Sequence, residues 1–170
     1  MKTDFTIRQA QQSDAVELKE LFQNTVIVIN RRDYSQAEVE DWASCGDDLS
    51  NIEEMIKTHY FIVAVNQQSQ IVGFSSITPQ GYLHSMFVHK DFQGEGIATM
   101  LLEEIERYAI TAGITRITSE VSLTARPFFE KKGYAVEKEQ KRKANQLSLT
   151  NFLMAKEVAF LEYYNKKVTD

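Results

Sequence analysis

Apolar and polar residues alternate at Phe5-Thr6-Ile7-Arg8, the period of a strand with one buried face. Beyond Ser13-Asp14, which offers an N-cap, Val16, Leu18, Leu21, Phe22 and Val26 recur at helical spacing and predict a helix that packs on a core. A second capped helix is predicted from Ser35 through Ala37, Val39 and Trp42, and a third over residues 49–56. The runs YFIVAV (60–65) and IVGFSSI (71–77) are rich in β-branched and aromatic residues, and the polar stretch 66–70 joins them as a hairpin. A turn at 79–81 then leads to a strand over 82–88, so a meander of antiparallel strands is expected.

After residue 96 the period returns to that of a helix. Ile97, Leu101, Ile105 and Ala109 form one stripe with Ala98 and Leu102 beside it, while Glu103, Glu104, Glu106 and Arg107 take the opposite face. Gly113 is placed to close that helix. A strand over 115–121 follows, then a helix that Thr124 can cap, with Pro127 in its first turn and Gly133 at its end. Residues 134–139 and 147–155 read as a closing hairpin around a polar loop. Nothing repeats and no linker interrupts the chain, so its 170 residues, 43% hydrophobic, suit one domain, placed at 1–158. Residues 159–170 form a tail, a docked helix or disordered; its Phe160, Tyr163 and Tyr164 also allow a subunit contact, hence a homodimer.

The chemistry centres on Gln93-Gly94-Glu95-Gly96-Ile97-Ala98. Two glycines at alternate positions, between an apolar strand and an amphipathic helix, let the backbone approach a ligand and aim several N–H groups into one concavity. The helix start adds unpaired N–H groups and the positive end of its dipole, so a pyrophosphate can be held without a lysine, provided Glu95 points outward. A Walker A loop is excluded, because Gly96-Ile97-Ala98 stands where Gly-Lys-Ser or Gly-Lys-Thr is required. A dinucleotide fingerprint fits poorly: Thr99 takes the place of its third glycine, although Glu120 lies at a plausible distance for a ribose contact. The preceding strands also read as a meander rather than βαβ crossovers.

Charge and cysteine content narrow the classes further. A formal net charge of −5 disfavours nucleic acid, and the basic cluster 138–143 (KEQKRK) lacks interleaved aromatics and reads as a solvated hairpin. No apolar leader or membrane-length run is present, and Cys45 is the only cysteine, so a cytoplasmic protein without membrane association is expected. Cys45 lies in the turn-like SCGDD (44–48) with no cue linking it to a histidine, and is read as structural. No metal is expected.

The loop segment resembles the GNAT acetyltransferase signature Q/R-x-x-G-x-G/A at all its defined positions, and Val88-His89-Lys90-Asp91-Phe92 is similar to the family's strand end and approach. Ala125-Arg126-Pro127-Phe128-Phe129-Glu130-Lys131-Lys132-Gly133-Tyr134 resembles its second segment, A-x-x-F-Y-E-K-x-G-F, at the expected distance. The resemblance spans residues 4–158 and is to small stand-alone bacterial members. It implies a mixed α/β fold: a central, mostly antiparallel twisted sheet, splayed in the middle, with helices on both faces. It also implies acetyl-CoA as co-substrate and acetyl transfer to a primary amine of a small molecule or peptide, by direct attack in a ternary complex. A non-catalytic acyl-CoA-binding or sensor domain is the alternative.

By the same resemblance, CoA is held by Met86, Phe87 and Val88 on the strand, by Gln93, Gly94, Glu95, Gly96, Ile97, Ala98 and Thr99 at the loop, and by Ser122, Arg126 and Phe129. A backbone N–H near Phe87 or Val88 would face the oxyanion. Removal of the amine proton needs a base, for which Tyr82, His84 and Glu120 are the candidates, the first two sharing a strand face by alternation. Two departures stand out. Phe129 replaces the family's frequent tyrosine, thought to protonate the leaving thiolate, and Ser122 replaces an asparagine; Ser122, Thr124, a water or unaided departure could serve instead. Tyr34, Glu38 and Trp42 are the candidate acceptor wall.

Overall fold

In the computed structural model, which describes residues 4–159 and residue 168, the N-terminal alternation becomes strand β1 (Thr6–Gln9). A 3-10 turn (Gln12–Asp14) precedes helix α1 (Ala15–Val28). Asp14 does not cap α1 as expected from sequence: its carboxylate accepts the Gln11 N–H (2.7 Å) and both Arg8 donors (2.8 and 3.0 Å), and Arg8 holds it below the usual carboxylate range. Leu18, Leu21 and Val26 are buried, but Val16 is 57% exposed, because it lies off the stripe that the others share. Helix α2 (Gln36–Ser44) begins in a capping box, with Ser35 and Glu38 satisfying each other's backbone N–H, and α3 is Leu49–Thr58.

Strands β2 (Tyr60–Val65), β3 (Ile71–Ile77) and β4 (Leu83–Val88) follow as the expected meander and complete an antiparallel sheet ordered β1-β2-β3-β4. Both faces of β2 and β3 are covered, which explains why their sequences are continuously apolar. Phe61, Val63, Ile71 and Phe74 pack under α1 and α3; Ile62, Ala64 and Val72 pack under α4 (Ile97–Thr111) on the other side. Helix α4 sits close to β3 because Gly73 has no side chain; a Cβ there would lie 2.8 Å from Ile97 Cγ2. The large aliphatic residues of its stripe, such as Leu101 and Ile105, are fully buried and contribute about 1.5–3 kcal/mol each.

Strand β5 (Arg116–Ser122), helix α5 (Arg126–Lys131) and strands β6 (Ala135–Lys143) and β7 (Ser148–Glu157) build a second antiparallel sheet ordered β5-β7-β6. The basic cluster 138–143 lies in the β6-β7 hairpin as expected, but the strand runs on to Lys143 instead of ending near 139: β6 is a sheet edge, exposed along nearly all its length, where charge guards against pairing with other chains. The loop at its tip is clamped to α2 by Asp41, whose carboxylate accepts the N–H groups of Asn145, Gln146 and Leu147 at 2.9–3.0 Å. Helix α5 is not capped by Thr124; Ser122 Oγ instead accepts the Ala125 N–H (3.1 Å). Of the tail, all but Ala159 and Val168 lies outside the described residues. No helix among the described residues is long and apolar enough to cross a membrane.

Candidate active site

The two sheets meet where β4 and β5 run side by side in parallel. A bridge between Tyr82 and Thr118, the Thr118 N–H to Gly81 C=O bond (3.0 Å) and the Ser119 hydroxyl donating to Leu83 C=O (2.8 Å) join their first residues. Beyond that the strands belong to different sheets, and the splay opens a cleft of about 1020 Å³. Gly94 and Gly96 lie at one end of it, and residues of α2 and α3 wall the other.

At the loop end, Gly94 (φ +76°) and Gly96 (φ +84°) adopt left-handed backbone, and a Cβ added at either would meet no atom within 4 Å. A side chain there would be strained by backbone, and would occupy the concavity rather than press on protein. The first bond of α4 runs from Met100 N–H to Gly96 C=O (3.1 Å), so Ile97, Ala98 and Thr99 present the helix's unpaired donors to the cleft. Glu95 is exposed and does not line the cleft. Gln93 fastens the loop to the strand end by donating from Nε2 to Val88 C=O (2.8 Å), and Thr25 of α1 donates to the same oxygen (3.0 Å).

The free edge of β4 follows from its pairing. His89 N–H donates to Val72 on β3 (2.8 Å), so by strand alternation the N–H groups of Val88 and Met86 turn to the open gap, while that of Phe87 turns to β3. Of the two residues named for an oxyanion contact, Val88 is the one whose N–H is aimed into the cleft.

On the β5 side, Ser122 lines the cleft with its hydroxyl already accepting from Ala125. Thr124 Oγ1 also borders it and is the one buried side-chain polar atom without a hydrogen-bond partner among the described residues. Phe129 is 3% exposed, packed edge-on to Phe128 and Tyr134, and meets the cleft only with its ring. Arg126 does not line the cleft: it pairs with Glu130 one helical turn on and stacks over Phe152, 4.3 Å from the ring centroid.

The acceptor-wall residues separate. Trp42 lines the cleft, edge-on to Tyr34 and Phe87. Tyr34 contributes ring only, because its hydroxyl donates to Thr150 C=O (2.6 Å) and accepts from Leu123 N–H (3.0 Å), pinning the chain ahead of α2 to β7 and to the residue that follows β5. Glu38 is spent on the capping box and does not line the cleft. Cys45 borders the cleft, and desolvation, reinforced by Asp41, pushes its thiol upward, away from the thiolate a nucleophile needs.

Tyr82, His84 and Glu120 do converge. Tyr82 stands edge-on to His84 at 5.8 Å, and burial, with Glu120 nearby, pushes its phenol up to about 12, so it stays protonated at neutral pH. Glu120 pairs with Arg142 (3.0 Å). His84 opens onto the cleft, and desolvation, then the neighbouring His59, lowers it from the ordinary imidazole value. His59, whose ring centroid lies 5.4 Å from that of His84, was not a candidate from sequence: it sits at the junction of α3 and β2, and only strand register brings it to β4. Among the described residues no group of three or more His, Cys, Asp or Glu is disposed to bind a metal.

A strand-loop-helix anion cradle beside a splayed strand pair defines the class, and the comparisons agree. The chain belongs to the GNAT acetyltransferase family, whose domain model, described as an acetyltransferase (GNAT) domain, matches residues 30–157. It is therefore an acetyl-CoA-dependent N-acetyltransferase with an acceptor substrate. It is 28% identical over 148 residues to the N-acetyltransferase YafP of Escherichia coli K12, covering 87% of this chain and 93% of that protein. The crystal structure of a GCN5-related N-acetyltransferase (Aminotransferase, Class-II) from Rhodopseudomonas palustris superposes with a TM-score of 0.88 at 26% identity, over 93% of this chain and 99% of that one. PaiA N-acetyltransferase from Thermoplasma acidophilum, in complex with coenzyme A, shares the fold at 19% identity (TM-score 0.75; 91% and 99% of the two chains).

Proposed function

We propose that the protein acetylates a primary amine by direct attack on the thioester, with residues 4–158 acting as one catalytic unit and both substrates held in the splay. The observation that carries this is the continuity of the cleft from the cradle at Gly94 and Gly96, past the free edge of β4, to the wall of α2 and α3. The side-chain-free cradle at Gly94 and Gly96 and the unpaired donors of α4 fit a pyrophosphate, and coenzyme A is the ligand of the PaiA structure. Met86 and Val88 offer backbone groups to the pantetheine arm, and the Val88 N–H suits an oxyanion. Amine and thioester held side by side need no covalent enzyme intermediate, in keeping with a protonated Cys45.

The test is release of free thiol from acetyl-CoA across a panel comprising an alkylamine, an arylalkylamine, a polyamine and a lysine peptide. Amine-dependent release is expected. Tight CoA binding with a silent panel would favour the non-catalytic acyl-CoA-binding reading, which the buried Phe129 in place of a proton donor also motivates.

A further inference from the structure

We propose that His84 is the base that deprotonates the acceptor amine and that His59 is a positioning residue which keeps His84 available for that task; this rests on the amine-acetylation reading above. The geometry comes from a flaw in the strand ladder. Ile77 of β3 pairs with Leu83 of β4, but its neighbour Ser76 pairs with Ser85, leaving His84 as the extra residue of a β-bulge. A bulge re-aims the side chain it carries, and this one opens onto the cleft.

The paired serines beneath the bulge hold both rings. Ser85 Oγ lies 2.7 Å from His84 Nδ1, and Ser76 Oγ lies 3.3 Å from His59 Nδ1; the two serines are 6% and 0% exposed. With Nδ1 so occupied, Nε2 of each ring is the nitrogen left for a ligand. For His84 to accept a proton there, Nδ1–H must donate to Ser85. The rival bases are less suited: Tyr82 holds its proton at neutral pH, and Glu120 is committed to Arg142. Other groups facing the pair are Tyr82 just ahead of β4, Glu120 from β5, Arg142 from β6 and Glu54 of α3 on the same cleft wall. Two imidazoles this close resist carrying two charges, so His59 competes for the proton and, once charged, repels it from His84. Desolvation lowers both rings from the ordinary value, consistent with a neutral pair at physiological pH.

An ammonium R–NH3⁺ gives one proton to His84 Nε2, leaving R–NH2 and an imidazolium. The amine lone pair forms the C–N bond at the thioester carbonyl, and the C–S bond breaks with its electron pair on sulfur. The nitrogen sheds its surplus proton to that thiolate, giving the amide and free thiol, and His84 returns its proton to solvent through the open cleft.

The experiment measures kcat/KM against pH for the panel amine turned over fastest, in wild type, His84→Gln and His59→Gln, with CoA affinity and Tm measured for each. His84→Gln is expected to lose about 10²–10⁴-fold in kcat, to lose the acid limb due to the enzyme, and to lose less with hydroxylamine, which is already unprotonated at neutral pH. His59→Gln is expected to keep the high-pH plateau while its acid limb moves to higher pH, a shift that a purely packing role would not produce. CoA affinity and Tm should stay near wild type in both. Retention of the wild-type rate and acid limb by His84→Gln overturns the proposal; an unmoved limb in His59→Gln overturns the part given to His59. Absence of amine-dependent turnover in wild type would instead sink the acetylation reading, and this proposal with it.

Discussion

Replacing Gly96 by alanine separates the two roles that its backbone plays, because Gly113 provides a matched control at the other end of the same helix. Both glycines have positive φ, +84° and +79°, and a Cβ at either meets no atom within 4 Å. Alanine at either site should therefore cost a similar amount of stability, about 1–2 kcal/mol for the left-handed backbone, which for a chain of this size lowers Tm by about 2–8 °C. Only Gly96 lies on the cleft. There the Cβ enters the space kept for phosphate and turns loop N–H groups aside; loss of a single charge-assisted bond costs about 1.5–3 kcal/mol, or about 10–150-fold in affinity. Calorimetric titration with CoA, alongside thermal melts, reads both effects. The expected result is parallel loss of Tm in Gly96→Ala and Gly113→Ala, with weakened CoA binding in Gly96→Ala alone. Equal CoA affinity in the two variants would refute the assignment of the cradle.

Thr124→Val should raise the stability of the unliganded protein by about 1–3 kcal/mol, since it removes a buried hydroxyl that has no partner; if that hydroxyl serves the bound thioester, kcat falls in the same variant, whereas a fall in Tm would show that the hydroxyl is satisfied. Cys45→Ala should leave CoA affinity and turnover unchanged, and loss of activity with the fold intact would contradict direct attack. For Asp41, bonds from three backbone N–H groups outweigh the opposing desolvation and hold the carboxyl below its usual range. Its contribution is thus present above the unfolded carboxylate value and is lost as pH falls through the lower folded one, so the stability gap between wild type and Asp41→Asn should narrow in acid. A gap that is constant in denaturant melts down to low pH would remove Asp41 from that role.

Much of this fold is written in local pattern. The YFIVAV and IVGFSSI runs, the stripe Ile97-Leu101-Ile105-Ala109 and the glycine loop could be placed because strand period, helix period and turn chemistry act over a few residues. Residues whose role depends on long-range pairing could not. The KEQKRK cluster reads as part of a solvated hairpin, but only pairing with β7 shows that all of it is edge strand. Glu38, a candidate for the acceptor wall, and Arg126, a candidate for CoA, make local pairs at helical spacing with Ser35 and Glu130. The sequence places Tyr34 on the acceptor wall, and its hydroxyl links segments far apart in sequence. His59 is the clearest case: nothing near it in sequence marks it, and it meets His84 only through the β2-β3-β4 register and the bulge at residue 84.

The most direct test of acetyl transfer at this cleft is to incubate the purified protein with acetyl-CoA and the amine panel, following free thiol and identifying the product by mass spectrometry. Thiol release that requires the amine, matches N-acetylated product mole for mole and falls at sub-saturating acetyl-CoA in step with the weakened CoA binding of Gly96→Ala is the predicted result. Firm CoA binding with no amine-dependent thiol release from any class of amine would contradict it.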